Sequence, residues 1–239
     1  MKDPTGAAVL SFPAHRRSTI EETLGGFPGR AGRDGLPGKR SARRVTVLYS
    51  EIRGWKQVAE RAGGKVAGQV LSSTLDAAVA ALRETSPAEV TVESGSRQPT
   101  LWATYEGDNH ALRALGAAVA IRDAVGSVRH PELAGHRFQV CSGVNTGDIV
   151  ETEVTEGVPV SFHAIGTVRM FATRLQEFAG PGQIFLSVST YSEADAAAKV
   201  RSIGPVRTNP DGDTAEAFCL TELVPDRRAG DARAGRTPG

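Results

Sequence analysis

Cysteine, methionine and tryptophan each occur only twice in the 239 residues, and aromatic residues make up 5% of the chain. Two cysteines cannot build the disulfide framework that holds small secreted domains together. Cys141 and Cys219 fall in predicted strands and share no metal-ligand spacing, so they read as buried free thiols of a cytoplasmic protein. An excess of one charge is also missing, since 28 Lys and Arg against 27 Asp and Glu leave a net +1. That balance gives no electrostatic case for nucleic acid or an anionic membrane as partner. No apolar run approaches the roughly 18–20 residues that cross a bilayer, and the N-terminus lacks the apolar stretch of a signal peptide. Lysine is absent between Lys65 and Lys199, and aspartate between Asp76 and Asp108, so neither is available to a site built from those stretches.

What is present suffices for one core. With 40% hydrophobic residues, the chain supports a single domain over residues 44–224, about 180 residues and within the usual range. Residues 1–43 and 225–239 are polar and rich in Gly, Pro and Arg, and read as a disordered linker and a disordered tail. Within the first, Ser18 followed by Glu21 opens a two-turn capping-box island, which needs docking to be stable. Residues 1–43 are therefore the candidate contact for a protein partner. Gly26, Gly29, Gly32, Gly35 and Gly38 keep a Gly-X-Y period, which over so few triplets reads as flexible linker.

Residues 45–55, VTVLYSEIRGW, have the β-branched and aromatic content of a central strand buried on both faces. The strand is expected to give way at Glu51-Ile52-Arg53-Gly54, where a turn opens a helix. Helices are expected over 55–62 and 65–83, the second with an apolar stripe at Val66, Val70, Leu71, Leu75, Ala78, Val79 and Leu82. Strands follow over 89–93 and 100–105, around a polar turn from Ser94 to Pro99. Asp108 is the expected N-cap of a helix over 109–125. Strands over 138–144 and 148–154 read as a hairpin turning at Asn145-Thr146-Gly147. A helix over 165–178 stops at Gly180-Pro181-Gly182. A strand over 184–187, a short helix over 190–197, and a hairpin of 200–203 with 215–220 complete the domain. This order predicts an α+β fold, a ferredoxin-like split βαβ sheet with helices packed on one face.

Three stretches carry a resemblance: VTVLYSEIRGW at 45–55, SGVNTGDIV at 142–150 and AIGTVRMFATRLQEFAGPGQIFLSVSTY at 164–191. Together, in this order and spacing, they resemble the catalytic domain of class III adenylate and guanylate cyclases over residues 44–223. The resemblance implies conversion of a nucleoside triphosphate to a cyclic nucleotide. It also implies two aspartates holding two Mg²⁺ or Mn²⁺ ions, the two-metal logic of in-line phosphoryl transfer. A Lys and an Asp would read the base. An Asn and an Arg from the second subunit would act on the ribose and the transition state, making the working unit a dimer.

Residue by residue, the chemistry is thinner than the frame. The motif like F-A-D-I-R-G-F stands here as Tyr49-Ser50-Glu51-Ile52-Arg53-Gly54-Trp55, which makes Glu51 the candidate metal ligand. Its extra methylene moves the carboxylate by about 1.5 Å, which a near-octahedral Mg²⁺ site would feel. Pro99 stands where the second metal aspartate belongs, and Arg97 is the basic residue nearest the missing Lys. In the stretch like I-G-D-x-V-N-x-A-A-R, Thr167 replaces the Asp and Met170 the Asn, and a thioether cannot donate a hydrogen bond. Arg174 matches the family Arg and is the candidate catalytic residue, with a salt bridge as its alternative role. Arg97, Thr167 and Arg169 are the candidate nucleotide contacts, the arginines toward phosphate.

Three functions follow. The first is a catalytically degenerate cyclase-homology domain acting in intracellular signalling as a dimerising regulatory module, a homodimer with Met170 and Phe171 adding apolar surface. The second is a divergent cyclase making cyclic AMP or cyclic GMP with Mg²⁺ or Mn²⁺ at Glu51. The third binds a nucleotide or cyclic nucleotide without turnover. The first is preferred, because Asn145-Thr146-Gly147-Asp148 and Pro181-Gly182-Gln183-Ile184, whose roles are turns and packing, are kept while metal and base positions are replaced.

Overall fold

The structure, a computed structural model, describes residues 8–11, 40–94, 98–131, 135, 137–152, 166–194, 197–208 and 212–224. The island at 18–24, the Gly-X-Y stretch and the tail from 225 lie outside them. Its centre is the unit β2 (Arg40–Arg53), α1 (Trp55–Arg83), β3 (Glu89–Glu93), β4 (Thr100–Glu106), α2 (His110–Ser127) and β5 (Gln139–Thr152). These strands lie in the order β3-β4-β2-β5 with every neighbour antiparallel, the split βαβ arrangement expected. Next come α3 (Gly166–Phe178), β6 (Ile184–Ser187), α4 (Val188–Ala194), β7 (Ala198–Arg207) and β8 (Thr214–Leu223). β6 pairs parallel with β5, and β8 and β7 extend the sheet beyond it. At the far edge β1 (Ala8–Ser11) pairs with β3, completing eight strands. The sheet thus draws on residues expected as linker, through β1 and through the start of β2 at Arg40.

Alternation along β2 sorts its side chains onto two faces. Leu48 and Ile52 join α1 and α2 in the main core, with Leu101, Ala103, Tyr105, Val140 and Val144. Val45 and Val47 point the other way and pack with Ile149 against Val168 and Ala172 of α3. The expectation of helices on one face is therefore corrected, because α3 covers the reverse side of β5 and β2. Helix α1 breaks at Gly63, whose φ of 76° and ψ of 161° leave the helical region, between the two helices expected. Its buried line is Val58, Ala67, Val70, Thr74, Ala78 and Leu82.

Two turn assignments change. Asn145, Thr146 and Gly147 do not turn; they lie inside one continuous β5, opposite Val47, Thr46 and Val45. The motif serves helix docking instead. A Cβ at Gly143 would lie 2.0 Å from the Ala172 carbonyl oxygen and 2.6 Å from the Gln176 nitrogen, and one at Gly147 would lie 2.8 Å from Val168 Cγ2. Between them the Asn145 amide donates to the Val168 carbonyl at 3.1 Å, so a Gly-x-Asn-x-Gly face cradles α3. At α2 the N-cap is Asn109, not Asp108, with φ 55° and no side-chain cap. Arg113, one turn into the helix, donates to the carbonyls of Asp108, Ser86 and Glu106 and holds that turn. The stop after α3 is as expected, with Gly182 at φ 75° and the Gly180 N–H donating to Gln183 Oε1 at 2.9 Å. Among the described residues no helix is long and apolar enough to cross a membrane.

Candidate functional site

Glu51 remains within β2, which runs on to Arg53 before Gly54, at φ 101°, starts α1. It stands on the α3 side of the sheet, in register with Thr100 on β4 and Cys141 on β5. Arg53 Nε donates to Glu51 Oε1 at 2.9 Å, and Arg53 Nη1 donates to the Ala179 carbonyl at 3.2 Å. The same guanidinium thus spans the β2 carboxylate and the end of α3. The Ile52 N–H donates to the Pro99 carbonyl at 2.9 Å, so Pro99 lies beside Glu51, buried and offering backbone alone.

The rest of this end of the sheet is polar but dispersed. Burial raises the Tyr49 phenol pKa, and the charges of Glu51, Glu93 and Glu177 push it the same way, while a Thr100 hydrogen bond opposes them. Burial likewise pushes the Cys141 thiol up, against the pull of Arg53, and a raised thiol pKa makes an inert cysteine. Both cysteines are free and buried. Among the described residues no three His, Cys, Asp or Glu side chains are grouped to hold a metal ion. A two-ion site does not fit the described residues at this end of the sheet: Glu51 is already bound by Arg53, its neighbour across on β4 is Thr100, and Pro99 next along offers backbone alone.

The remaining candidates are not brought together. Arg174 Nη1 pairs with Glu177 Oε2 at 2.7 Å, an i,i+3 pair along α3 itself. Thr167 is exposed in the first turn of α3, and Met170 is half-buried. Phe171, expected to add surface, is buried against Leu175, Phe185 and Cys219. Arg97 lies outside the described residues. Arg169 reaches across to β4, where its guanidinium sits 4.3 Å over the Trp102 ring, and Trp102 stacks on Tyr49 at 4.0 Å. Trp102 and Arg169 border a shallow surface hollow with Val47, Glu89, Thr91 and Thr104, too small to enclose a nucleotide. Trp102 and Tyr49 escaped the sequence reading as site residues. Alternation in β4 was the available signal, since it sends Trp102 and Thr104 away from Leu101, Ala103 and Tyr105.

No family model matches the chain, and no curated protein matches it. Solved structures do. The guanylate cyclase domain from Catenaria anguillulae, solved in complex with GTP, superposes at a TM-score of 0.59 and 18% identity, covering 76% of this chain and 97% of that one. The adenylyl cyclase CyaB from P. aeruginosa gives 0.60 and 16%, covering 78% and 98%. A guanylyl cyclase domain from Blastocladiella emersonii, described as a non-canonical dimer, gives 0.56 and 17%, covering 76% and 97%. The chain therefore has the fold of class III adenylate and guanylate cyclase catalytic domains. At these identities the likeness is one of fold.

Proposed function

We propose that this chain is a catalytically silent domain of cyclase fold, working in the cytoplasm as a dimerising regulatory module rather than as a source of cyclic nucleotide. The observation that carries this is the Glu51 end of the sheet, where the one candidate carboxylate is bound by Arg53 and Pro99 gives only its carbonyl, to the Ile52 N–H. In-line cyclisation needs two ions about 3.5–4 Å apart, one activating the 3′-hydroxyl and one clamping the phosphates. Arg174, the other candidate for transition-state contact, is engaged by Glu177 and lacks its Asn companion.

The partner proposed is a second copy of the chain. The α3 side of the sheet offers half-buried Tyr49, Trp102 and Met170, and Phe178 is 59% exposed at the end of α3. Aromatic groups of this kind are enriched in interface cores. Sedimentation at tens of micromolar checks it, and a monomer alone would remove the dimer from the reading.

A second reading is a nucleotide or cyclic-nucleotide site without turnover. It draws support from the Arg169 guanidinium held over Trp102 at the rim of a shallow hollow, since guanidinium groups take phosphates. Calorimetric titration with ATP, GTP and their cyclic products, with and without Mn²⁺, separates the readings. Silence supports the regulatory module, metal-independent heat supports the binder, and heat from a triphosphate only with Mn²⁺ supports a divergent cyclase.

A further inference from the structure

The two edges of the sheet are built differently. At one, β7 carries exposed Lys199, Arg201, Pro205 and Arg207. Its pairing with β8 also slips twice, between Lys199 and Val200 and between Ser202 and Gly204. Basic side chains, proline and bulges on an edge strand keep further strands from adding. At the other side β3, EVTVE, has no lysine, arginine or proline, and its charges are Glu89 and Glu93 at the two ends. Its ladder with β4 is unbroken from Glu89 to Glu93, and Val90, Thr91 and Val92 are β-branched residues that favour an extended backbone.

Among the described residues β1 alone pairs with this edge. Ala8, Val9, Leu10 and Ser11 lie opposite Val92, Thr91, Val90 and Glu89. Four residues make a short strand, and residues 12–39, a sequence rich in Gly and Pro, separate it from β2. Ordering so short a strand at the end of such a tether costs backbone entropy that its few ladder bonds offset only narrowly. β1 can leave while the β2–β5 ladder stays whole, and its leaving uncovers a row of β3 N–H and C=O groups.

What fits that row follows from β3 itself. Val90 is 1% exposed and Val92 packs against the main core, so a strand beside them meets an apolar border at alternate positions. The chain's own strand has Ala8 and Leu10 in register there. Glu89 and Thr91 alternate to the opposite face, where they border the shallow hollow. Opposite Glu89 stands Ser11, a residue with no charge to offer the carboxylate. Unlike charges directly opposed support a strand pair, so a lysine or arginine at that position fits better than the residue present.

We propose that the β3 edge is a strand-docking site for a partner protein, covered in the isolated chain by residues 8–11. The partner is an extended segment, apolar at two alternate positions and basic opposite Glu89. Backbone hydrogen bonds carry the affinity, as in other strand additions, while the Val90–Val92 border and Glu89 select. A second copy of this chain brings the same Ser11, so it gains nothing at Glu89 over the strand in place, which its tether holds at a high effective concentration.

The probe is a synthetic peptide of residues 6–12, GAAVLSF, made also with Ser11→Lys and labelled for fluorescence anisotropy. In the full chain, Val9→Pro with Leu10→Pro removes adjacent N–H groups from β1 and should empty the edge. The lysine peptide should bind this variant about ten-fold or more tightly than it binds the wild type, where a tethered strand competes. It should also bind about two- to five-fold more tightly than the serine peptide, and Glu89→Gln in the same variant should remove that preference. No binding to the variant, or equal binding to variant and wild type, would overturn the proposal. So would equal binding of the two peptides, which gives the edge to a second copy instead. Should the double variant fail to fold, hydrogen exchange on the wild type decides. The lysine peptide should strip protection from residues 9–11 while that of 89–93 holds, and protection of 9–11 left unchanged refutes the docking site.

Discussion

The Ile52 N–H donates to the Pro99 carbonyl at 2.9 Å, one position along from Glu51. This bond pins residue 99 at the place where the resemblance expects a second metal carboxylate. With ATP or GTP and Mg²⁺ or Mn²⁺, the protein should form no cyclic nucleotide above a Glu51→Ala control. Pro99→Asp alone should stay silent, because groups that act as a unit fail together. Pro99→Asp with Glu51→Asp, Thr167→Asp and Met170→Asn is the smallest set expected to show turnover. Wild-type product abolished by Glu51→Ala would leave a divergent cyclase instead.

Gly143 and Gly147 should differ in how much a methyl group hurts. At Gly143 the added Cβ meets backbone atoms of α3 at 2.0 and 2.6 Å, so the whole helix must move. Gly143→Ala should cost about 3 kcal/mol or more, above the usual range for overpacking. At Gly147 the neighbour is the Val168 side chain, and Gly147→Ala should cost about 1–2 kcal/mol. Denaturant melts that rank them the other way would mean α3 does not lie on this cradle.

Arg169 and Trp102 should be energetically coupled. The guanidinium lies 4.3 Å over the indole, and half-exposed pairs of this kind contribute about 0.5–1 kcal/mol. A double-mutant cycle with Arg169→Ala and Trp102→Leu should return that coupling. A value near zero would show that α3 is held to β4 by other contacts.

Alkaline stability should fall because of two phenols. Burial raises the pKa of Tyr105, against its Thr85 hydrogen bond and the Arg113 charge, and burial also raises that of Tyr49. Folded-state values above the unfolded one keep their stabilisation below about pH 10 and lose it as pH climbs through the folded values. Chemical denaturation at about pH 9 and about pH 11 should show the loss. Tyr105→Phe should shrink it while changing stability at neutral pH by about 1 kcal/mol, the scale of its bond to Thr85.

Local pattern settled much of this protein. The apolar line of α1, the Gly180-Pro181-Gly182 stop and the strands at 89–93 and 100–105 are written in neighbouring residues. So is the departure from the cyclase motifs at 99, 167 and 170, since an absent carboxylate or amide needs no structure to be noticed. What neighbouring residues could not show is which partner a polar or small residue meets. Asn145-Thr146-Gly147 has the composition of a turn, and only α3 lying on β5 makes it a cradle. Asp108 and Asn109 have equally good capping side chains, yet Asn109 takes the cap position without a side-chain hydrogen bond, and Arg113 holds the turn from the helix above. Thr46, His110 and Glu193 lie 64 and 83 positions apart in sequence, and each alone is an ordinary polar residue. Sheet register and the seating of α4 bring them within 3.0 Å, because hydrogen bonds between distant elements depend on where the backbone has carried each group.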